Sequence, residues 1–176
     1  MKKIGLILAY IFAFIMMLLY FSPKVELYYT LEEYLKKEKI IFSDEIVKNS
    51  GFTLELDNSK LYYRGVYGGE IEDIELSTLL LYNKLEFKNA YLNSALADIL
   101  PKKIEYLTLK YAIYNPIHIT IAGRGDIGEI NGYINPFSKV VHIELDVSKK
   151  QQSKYGTLLR KFKPNEKGVL VYELRY

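Results

Sequence analysis

A segment in the second half of the chain has the spacing of a phosphate-binding loop. Gly123, Gly125 and Gly128 match the pattern G-x-G-x-x-G, whose backbone amides hold phosphate where a strand runs into a helix. The residues that follow, 129–136, instead alternate like a strand and contain turn formers. We therefore predict that these glycines serve a bent strand or a tight hairpin, and the Arg-Gly-Asp tripeptide among them predicts no adhesive function.

The two histidines are candidates for a metal pair. His118 and His142 each stand on the polar side of an alternating run, which predicts two solvent-exposed rings. A metal site would need the rings to be neighbours across a sheet, with a carboxylate such as Glu144 or Asp146 in support. The chain has no cysteine and no G-x-S-x-G motif, so disulfides, thiol ligands and that serine nucleophile are excluded. We predict a protein that is not an enzyme and has no metal or cofactor.

An acidic cluster offers a different chemistry. Glu70, Glu72, Asp73 and Glu75 lie close together in the chain, and paired carboxylates serve glycosidic or cation chemistry. These four residues interleave with apolar ones, as on the outer face of a strand that contains a bulge. We therefore expect a solvated face here, not a site.

A basic stretch is the candidate for binding a charged partner. Residues 149–167 include seven basic residues against one acid, Glu166. Beside a membrane they would attract anionic headgroups, each cation contributing on the order of 1 kcal/mol, or they would bind an acidic partner. A solvated helix and loop is the alternative. The basic residues are Lys149, Lys150, Lys154, Arg160, Lys161, Lys163 and Lys167.

Charge elsewhere argues against nucleic-acid binding. The chain has 24 Lys and Arg against 21 Asp and Glu, and Lys2, Lys3 and Lys24 are the only charged side chains before residue 25. The remainder is therefore neutral overall and has no global basic field. We predict that nucleic acid is not a partner.

The first element predicted in the chain is a membrane anchor. Residues 4–21 contain no charge, and a helix of this length spans roughly 27 Å, enough to cross a bilayer. The proline at position 23 ends the segment, and the bulky residues before it do not fit a cleavage site. We predict an uncleaved anchor over residues 1–24, with a cleaved signal or a buried core helix as the alternatives.

The anchor also predicts a topology. Lys2 and Lys3 favour a cytoplasmic N-terminus. This orientation places residues 25–176 in the periplasm as a single β-rich domain, attached to the inner membrane by one pass. Few residues separate the domain from the anchor, so the domain must lie near the membrane surface.

Alternation of period two dominates the body. It predicts eight or nine strands, and one polar and one apolar side per strand predicts antiparallel pairing. Short helices are expected over 31–39, where Thr30 would be the cap, over 153–162 and over 95–100. The predicted fold is mainly β, an antiparallel sheet that is curved or half open, with a few short helices after one transmembrane helix.

The order of these features resembles protein N of the bacterial type II secretion system, a family related to AsmA-like proteins with a repeating β-groove architecture. The resemblance lies mainly in the last third of the chain: residues 117–123 leading into the glycine-marked 125–132, the strand 140–148, the leucines and arginine of 158–160, and the closing strand 168–174. It implies an inner-membrane protein with a periplasmic β-domain accessory to secretion, without catalytic residues.

Two hypotheses for function follow. In the first, the protein is an assembly or interaction component of the type II secretion machinery, with other secretion proteins as partners. In the second, it is an AsmA-like lipid-binding or lipid-transfer module, because a sheet with few short helices leaves part of its apolar side open as a groove. The residues predicted to line this groove are Ile117, Ile119, Ile121, Val141, Ile143 and Leu145.

Overall fold

The structure is a computed structural model that describes residues 2–79, 81–93, 101–166 and 168–176. The helices are α1 (Lys2–Tyr20), α2 (Lys24–Lys37), α3 (Lys149–Lys154) and α4 (Gly156–Leu159). The strands are β1 (Ile40–Ser43), β2 (Ile46–Asn49), β3 (Thr53–Tyr63), β4 (Val66–Leu79), β5 (Tyr82–Leu92), β6 (Lys103–Ala112), β7 (Asn115–Gly125), β8 (Gly128–Asn135), β9 (Val140–Asp146), β10 (Lys163–Pro164) and β11 (Leu170–Arg175).

The strands of the described residues form one antiparallel sheet that does not close. The order is β1-β3-β4-β5-β6-β7-β8-β9-β11-β10, and β2 pairs with β3 beside β1. This confirms the predicted mainly β, open, antiparallel fold with few short helices. The described residues form eleven strands, not the eight or nine predicted, because β1, β2 and β10 have only four, four and two residues. Such short strands show no clear alternation in the sequence.

Helix α1 is long and apolar enough to cross a membrane, and its most apolar stretch has no buried part. Its large side chains, such as Phe12 and Phe14, are exposed on the protein. A helix that is apolar on every side and contacts the rest of the described chain only at its last turn is typical of a lipid-embedded segment.

Lys24 joins α1 to the body. Its side chain is 0% exposed. Its ammonium donates hydrogen bonds to the Leu19 carbonyl (3.0 Å), the Ser22 hydroxyl (2.6 Å) and the Gly51 carbonyl, and burial lowers the pKa of Lys24. Gly51 has a φ of +81°, and a Cβ there would lie 2.3 Å from the Tyr20 ring. This loop between β2 and β3 therefore requires glycine.

Helix α2 begins earlier than the sequence predicted. It starts directly after Pro23, and Thr30 lies inside the helix, where its hydroxyl donates to the Glu26 carbonyl (2.8 Å). The predicted cap at Thr30 is therefore wrong, because Pro23 provides a start with a preset φ. The buried Tyr28 donates its hydroxyl to Glu45 Oε1 (2.7 Å) and fixes α2 to the turn between β1 and β2.

Two short helices replace the single helix predicted over 153–162. Helix α3 begins earlier because Ser148 caps it: the Ser148 hydroxyl accepts from the Gln151 amide (3.3 Å), and the Gln151 side chain accepts from the Ser148 amide (2.7 Å). In α4, Leu159 is buried in a cluster with Leu145 and Tyr155. The helix predicted over 95–100 lies outside the described residues.

Backbone irregularities interrupt the alternation in neighbouring strands. Asn58 in β3 and Asn89 in β5 have positive φ values of 57° and 49°. Around Asn89, Phe87 and Ala90 lie on the apolar side although they are three positions apart. The Asn89 amide donates to the Glu72 carboxylate (2.7 Å) in the intervening strand β4. Irregularities of this kind bend strands, and here they let the apolar face continue past the interruption.

The left-handed conformation of Asn89 generates a prediction. Asn89→Val places a β-branched side chain at positive φ and should lower the free energy of unfolding by about 1–2 kcal/mol. Asn89→Gly also loses the hydrogen bond to Glu72 but keeps the backbone conformation, so it should cost less. Urea unfolding of the full-length protein in detergent, followed by circular dichroism, measures both. Equal stability of the two variants would contradict this role of the backbone.

Candidate functional site

The apolar face continues from strand to strand across the sheet. Leu85 pairs with Leu109, and Leu109 pairs with Ile121. Across β8 the row passes through Gly132, which pairs with both Ile121 and Ile143. Directly opposite residues have Cβ atoms about 4.5–5.5 Å apart, so Leu85, Leu109 and Ile121 contact in turn. Gly132 has no side chain and leaves a gap in the row before Ile143.

Helices cover this face near its two edges. On the first edge, Tyr28 of α2 packs into a buried cluster with Leu54, Leu56 and Ile74. On the other edge, Leu159 of α4 packs into the cluster that contains Leu145. Between these edges, the described residues Leu107, Leu109 and Ile121 belong to neither cluster.

Three adjoining cavities lie on this face. The first, of about 530 Å³, lies between α2 and strands β1, β3, β4 and β5. Another, of about 340 Å³, lies over β6 to β9 beside α4. A smaller one of about 150 Å³ lies between them, since it shares Leu61 and Phe87 with the first and Ile104 and Leu107 with the other.

We call these three adjoining cavities the trough. Its wall consists of Leu27, Tyr28, Leu31, Leu35, Ile40, Phe42, Leu54, Leu56, Leu61, Glu70, Ile71, Ile74, Leu76, Leu85, Phe87, Ala90, Leu92, Pro101, Ile104, Leu107, Leu109, Ile121, Ile127, Ile130, Ile143, Leu145, Leu158 and Phe162. Ligand pockets have volumes of about 300–1,000 Å³, and the two larger cavities lie within that range.

The chemistry of the wall is almost wholly apolar. Among the described wall residues, Glu70 is the one charged side chain, and it is exposed. Burial and the hydrogen bond to Glu45 raise the pKa of Tyr28, so its phenol is neutral. The described residues contain no group of three or more His, Cys, Asp or Glu that could hold a metal ion. Such a wall binds apolar groups by burial, at about 25 cal/mol per Å².

The trough is open along α2. Leu27 and Leu31 belong to its wall, yet they remain 54% and 48% exposed. Large apolar side chains that line a cavity and still contact water form an exposed apolar surface of the kind that binds apolar partners.

The six residues predicted to line a groove belong to β7 and β9, the strands on either side of β8. Ile121, Ile143 and Leu145 belong to the trough wall. Ile119 and Val141 both pair with Ile134 and continue the same face beyond the wall. Ile117, two residues before Ile119, is half exposed at the start of β7.

The wall residues of α2 and of β3 to β5, which form the other half of the trough, were not predicted from the sequence. Leu27, Leu31 and Leu35 stand four residues apart on α2, and this spacing was a usable signal for one helical stripe. The strands gave a weaker signal, because the irregularities at Asn58 and Asn89 interrupt their alternation.

The predicted basic residues form an exposed surface near the last edge of the sheet. Lys149, Lys150, Lys154, Arg160, Lys161 and Lys163 are all exposed, while Lys167 lies outside the described residues. Helix α3 follows the end of β9, and the Gln151 side chain donates to the Asp126 carbonyl (3.0 Å) in the β7–β8 turn. That turn lies at the opposite end of the strands from the β2–β3 turn, where Lys24 joins α1 to Gly51.

The glycine motif lies in the β7–β8 hairpin, as the tight-hairpin interpretation predicted. Gly125 pairs with Gly128 around the turn, and Gly128 has a φ of +124°. A strand, β8, follows the turn instead of a helix. The arginine of the tripeptide, Arg124, forms an ion pair with Glu129.

The histidines lie on either side of a tyrosine. The Tyr133 ring centroid is 4.5 Å from that of His118 and 5.0 Å from that of His142, and His142 Nε2 is 3.1 Å from Glu144 Oε1. Both rings are half buried. The prediction of two exposed rings is therefore wrong, because Tyr133 on the strand between them covers both.

Two residues of the acidic cluster, Asp73 and Glu75, lie on the polar face, where lysines of β5 pair with them. Lys84 is 3.0 Å from Glu75 and 3.1 Å from Glu86, and Lys88 is 2.8 Å from Asp73. The hydrogen bond from Lys84 lowers the pKa of Glu75. Burial opposes a similar shift at Glu86, but hydrogen bonds from Lys84 and Thr108 still lower its pKa. These contacts stabilise the sheet at Asp73 and Glu75, and Glu72 accepts a hydrogen bond from the Asn89 amide.

Comparisons of the chain with protein-family models, curated proteins and solved structures find no match. The resemblance to secretion protein N and to AsmA-like proteins therefore stays a prediction.

The ion pairs of Lys84 predict a pH dependence. Because Glu75 and Glu86 have lower pKa values when folded, their contribution is present above the unfolded value of about 4.3 and is lost as pH falls through the folded values. Lys84→Gln should lower stability at neutral pH by on the order of 1 kcal/mol and weaken the acid dependence.

The matched control for Lys84→Gln is Lys110→Gln. Lys110 pairs with Lys84 across the sheet and has no ion pair among the described residues. Urea unfolding at a series of pH values between neutrality and acid compares both variants with the parent. Identical acid dependence in all three proteins would contradict the assignment.

Proposed function

We propose that this protein is a non-enzymatic, membrane-anchored module that binds the acyl chain of a lipid in the trough. Helix α1 would hold it in the inner membrane with the sheet in the periplasm, since Lys2 and Lys3 favour a cytoplasmic N-terminus. This corresponds to the lipid-handling hypothesis drawn from the sequence.

The apolar wall of the trough carries this proposal. The cavities on the two halves of the sheet adjoin through shared wall residues, and charge is confined to Glu70 among the described wall residues. An almost wholly apolar space fits an alkyl chain better than a polar metabolite, because polar ligands need hydrogen-bonding partners in the wall.

The opening beside α2 favours a lipid, and not a fully enclosed apolar cofactor, as the ligand of the trough. A lipid has a charged headgroup that must remain in water while its chain is buried. The half-exposed Leu27 and Leu31 mark a place where a chain would enter while its headgroup stays outside.

Photocrosslinking in a bilayer tests this function. The full-length protein is reconstituted into nanodiscs that contain phosphatidylethanolamine with a diazirine in the acyl chain, and crosslinked peptides are mapped by mass spectrometry. We expect crosslinks to wall residues of β3 to β9 in addition to α1. Leu27→Glu with Leu31→Glu should reduce the wall crosslinks about tenfold, because carboxylates at the opening disfavour an apolar chain.

The matched control is Tyr29→Glu with Tyr34→Glu. Both tyrosines are exposed on α2, and neither belongs to the described wall. This variant has the same added charge and should keep the wall crosslinks. Crosslinks confined to α1 in the parent protein, or an equal loss in both variants, would contradict lipid binding in the trough.

The secretion hypothesis is a second candidate, favoured by the exposed basic surface on the side of the sheet away from α1. At that position an acidic periplasmic protein would reach it more readily than membrane headgroups. Deletion of the gene in a bacterium with a type II system should reduce export of its secreted proteins. Unchanged secretion of all of them would exclude this role.

A further inference from the structure

Alternate turns of an antiparallel sheet lie at the same end of its strands. The β2–β3, β4–β5, β6–β7 and β8–β9 turns therefore share one end. Helix α1 meets this end, because the Tyr20 ring centroid is 5.7 Å from that of Phe52 in the β2–β3 turn, and Lys24 bonds to the neighbouring Gly51. We call this the anchor end of the sheet, defined by residues 50–52, 81, 113–114 and 136–139.

Large apolar side chains project from the turns of the anchor end. Tyr114 is 85% exposed and Phe137 is 78% exposed, and Leu81 and Ile113 are each more than half exposed. In the segments 113–114 and 136–139 the one charged residue is Lys139. Turns are usually the most polar parts of a sheet, so three successive apolar tips at one end are unusual.

The opposite end of the sheet has a different character. Its turns include Arg64 and Asp126, and the basic residues Lys149 and Lys150 follow β9 there. The isoleucine of its β7–β8 turn, Ile127, is only 3% exposed. Among the described turns, exposed aromatic tips therefore lie at the end that α1 enters.

We propose that the turns of the anchor end insert their apolar tips into the headgroup layer of the membrane that holds α1. Only residues 21–23 separate α1 from α2, and at about 3.5 Å per residue they keep this end at the bilayer surface. Tyrosine and phenylalanine are favourable in that layer. The inference rests on the proposed membrane anchor but does not require lipid in the trough.

Fluorescence quenching tests this contact. Because the chain has no cysteine, Tyr114→Cys and Phe137→Cys each provide a single attachment point for bimane. The full-length protein is placed in nanodiscs of phosphatidylethanolamine and phosphatidylglycerol that contain a lipid with a nitroxide near its headgroup. Val66→Cys is the matched control, because Val66, the first residue of β4 beside the β3–β4 turn, is also exposed (58%) but lies at the opposite end.

We expect the nitroxide lipid to quench bimane at positions 114 and 137 at least about twofold more than at 66, because quenching requires proximity to the headgroups. Phe12→Cys, within α1, separately reports insertion of the anchor when the nitroxide is in the acyl chain. Quenching at 12 with no difference among 114, 137 and 66 would overturn the membrane contact alone. No quenching at 12 would overturn the anchor and this proposal together.

Discussion

The apolar face of the sheet is much wider than the helices that pack on it, and the trough results from this difference in width. Ten strands lie side by side, and at about 4.8 Å per strand the outer two are roughly 43 Å apart. Helix α2 runs along the strands, from the Gly51 end to Arg64, whose amide bonds to the Lys39 carbonyl. A helix is only about 10–12 Å across, so α2 covers two or three strands. The trough begins beneath α2 and continues over strands that α2 does not reach.

This constraint also limits what the trough would select. Burial of apolar surface has no direction and scales with area, so a wall of aliphatic and aromatic side chains would distinguish chains by length and volume. The protein would contact the headgroup only at the opening, where Leu27 and Leu31 are exposed to water. A binding module of this kind would accept several lipids that have similar acyl chains.

Alternation in the sequence predicted the fold class and half of the apolar face. Ile119, Ile121, Ile143 and Leu145 follow strict period two, so their shared side was evident before their pairing was known. In β3 to β5 the period breaks at the left-handed asparagines, such as Asn89, and a pattern search stops there. The common end of Leu81, Tyr114 and Phe137 depends on which strands are paired. Local periodicity does not specify that pairing.

The buried ammonium of Lys24 makes the connection between α1 and the body a rigid joint. Its hydrogen bonds join the last turn of α1, at Leu19, to Gly51 in the sheet, and no flexible spacer lies between them. A tilt or rotation of α1 within its bilayer would therefore turn the whole sheet through a similar angle. Membrane thickness, which sets helix tilt, would thus control the direction in which the trough opens.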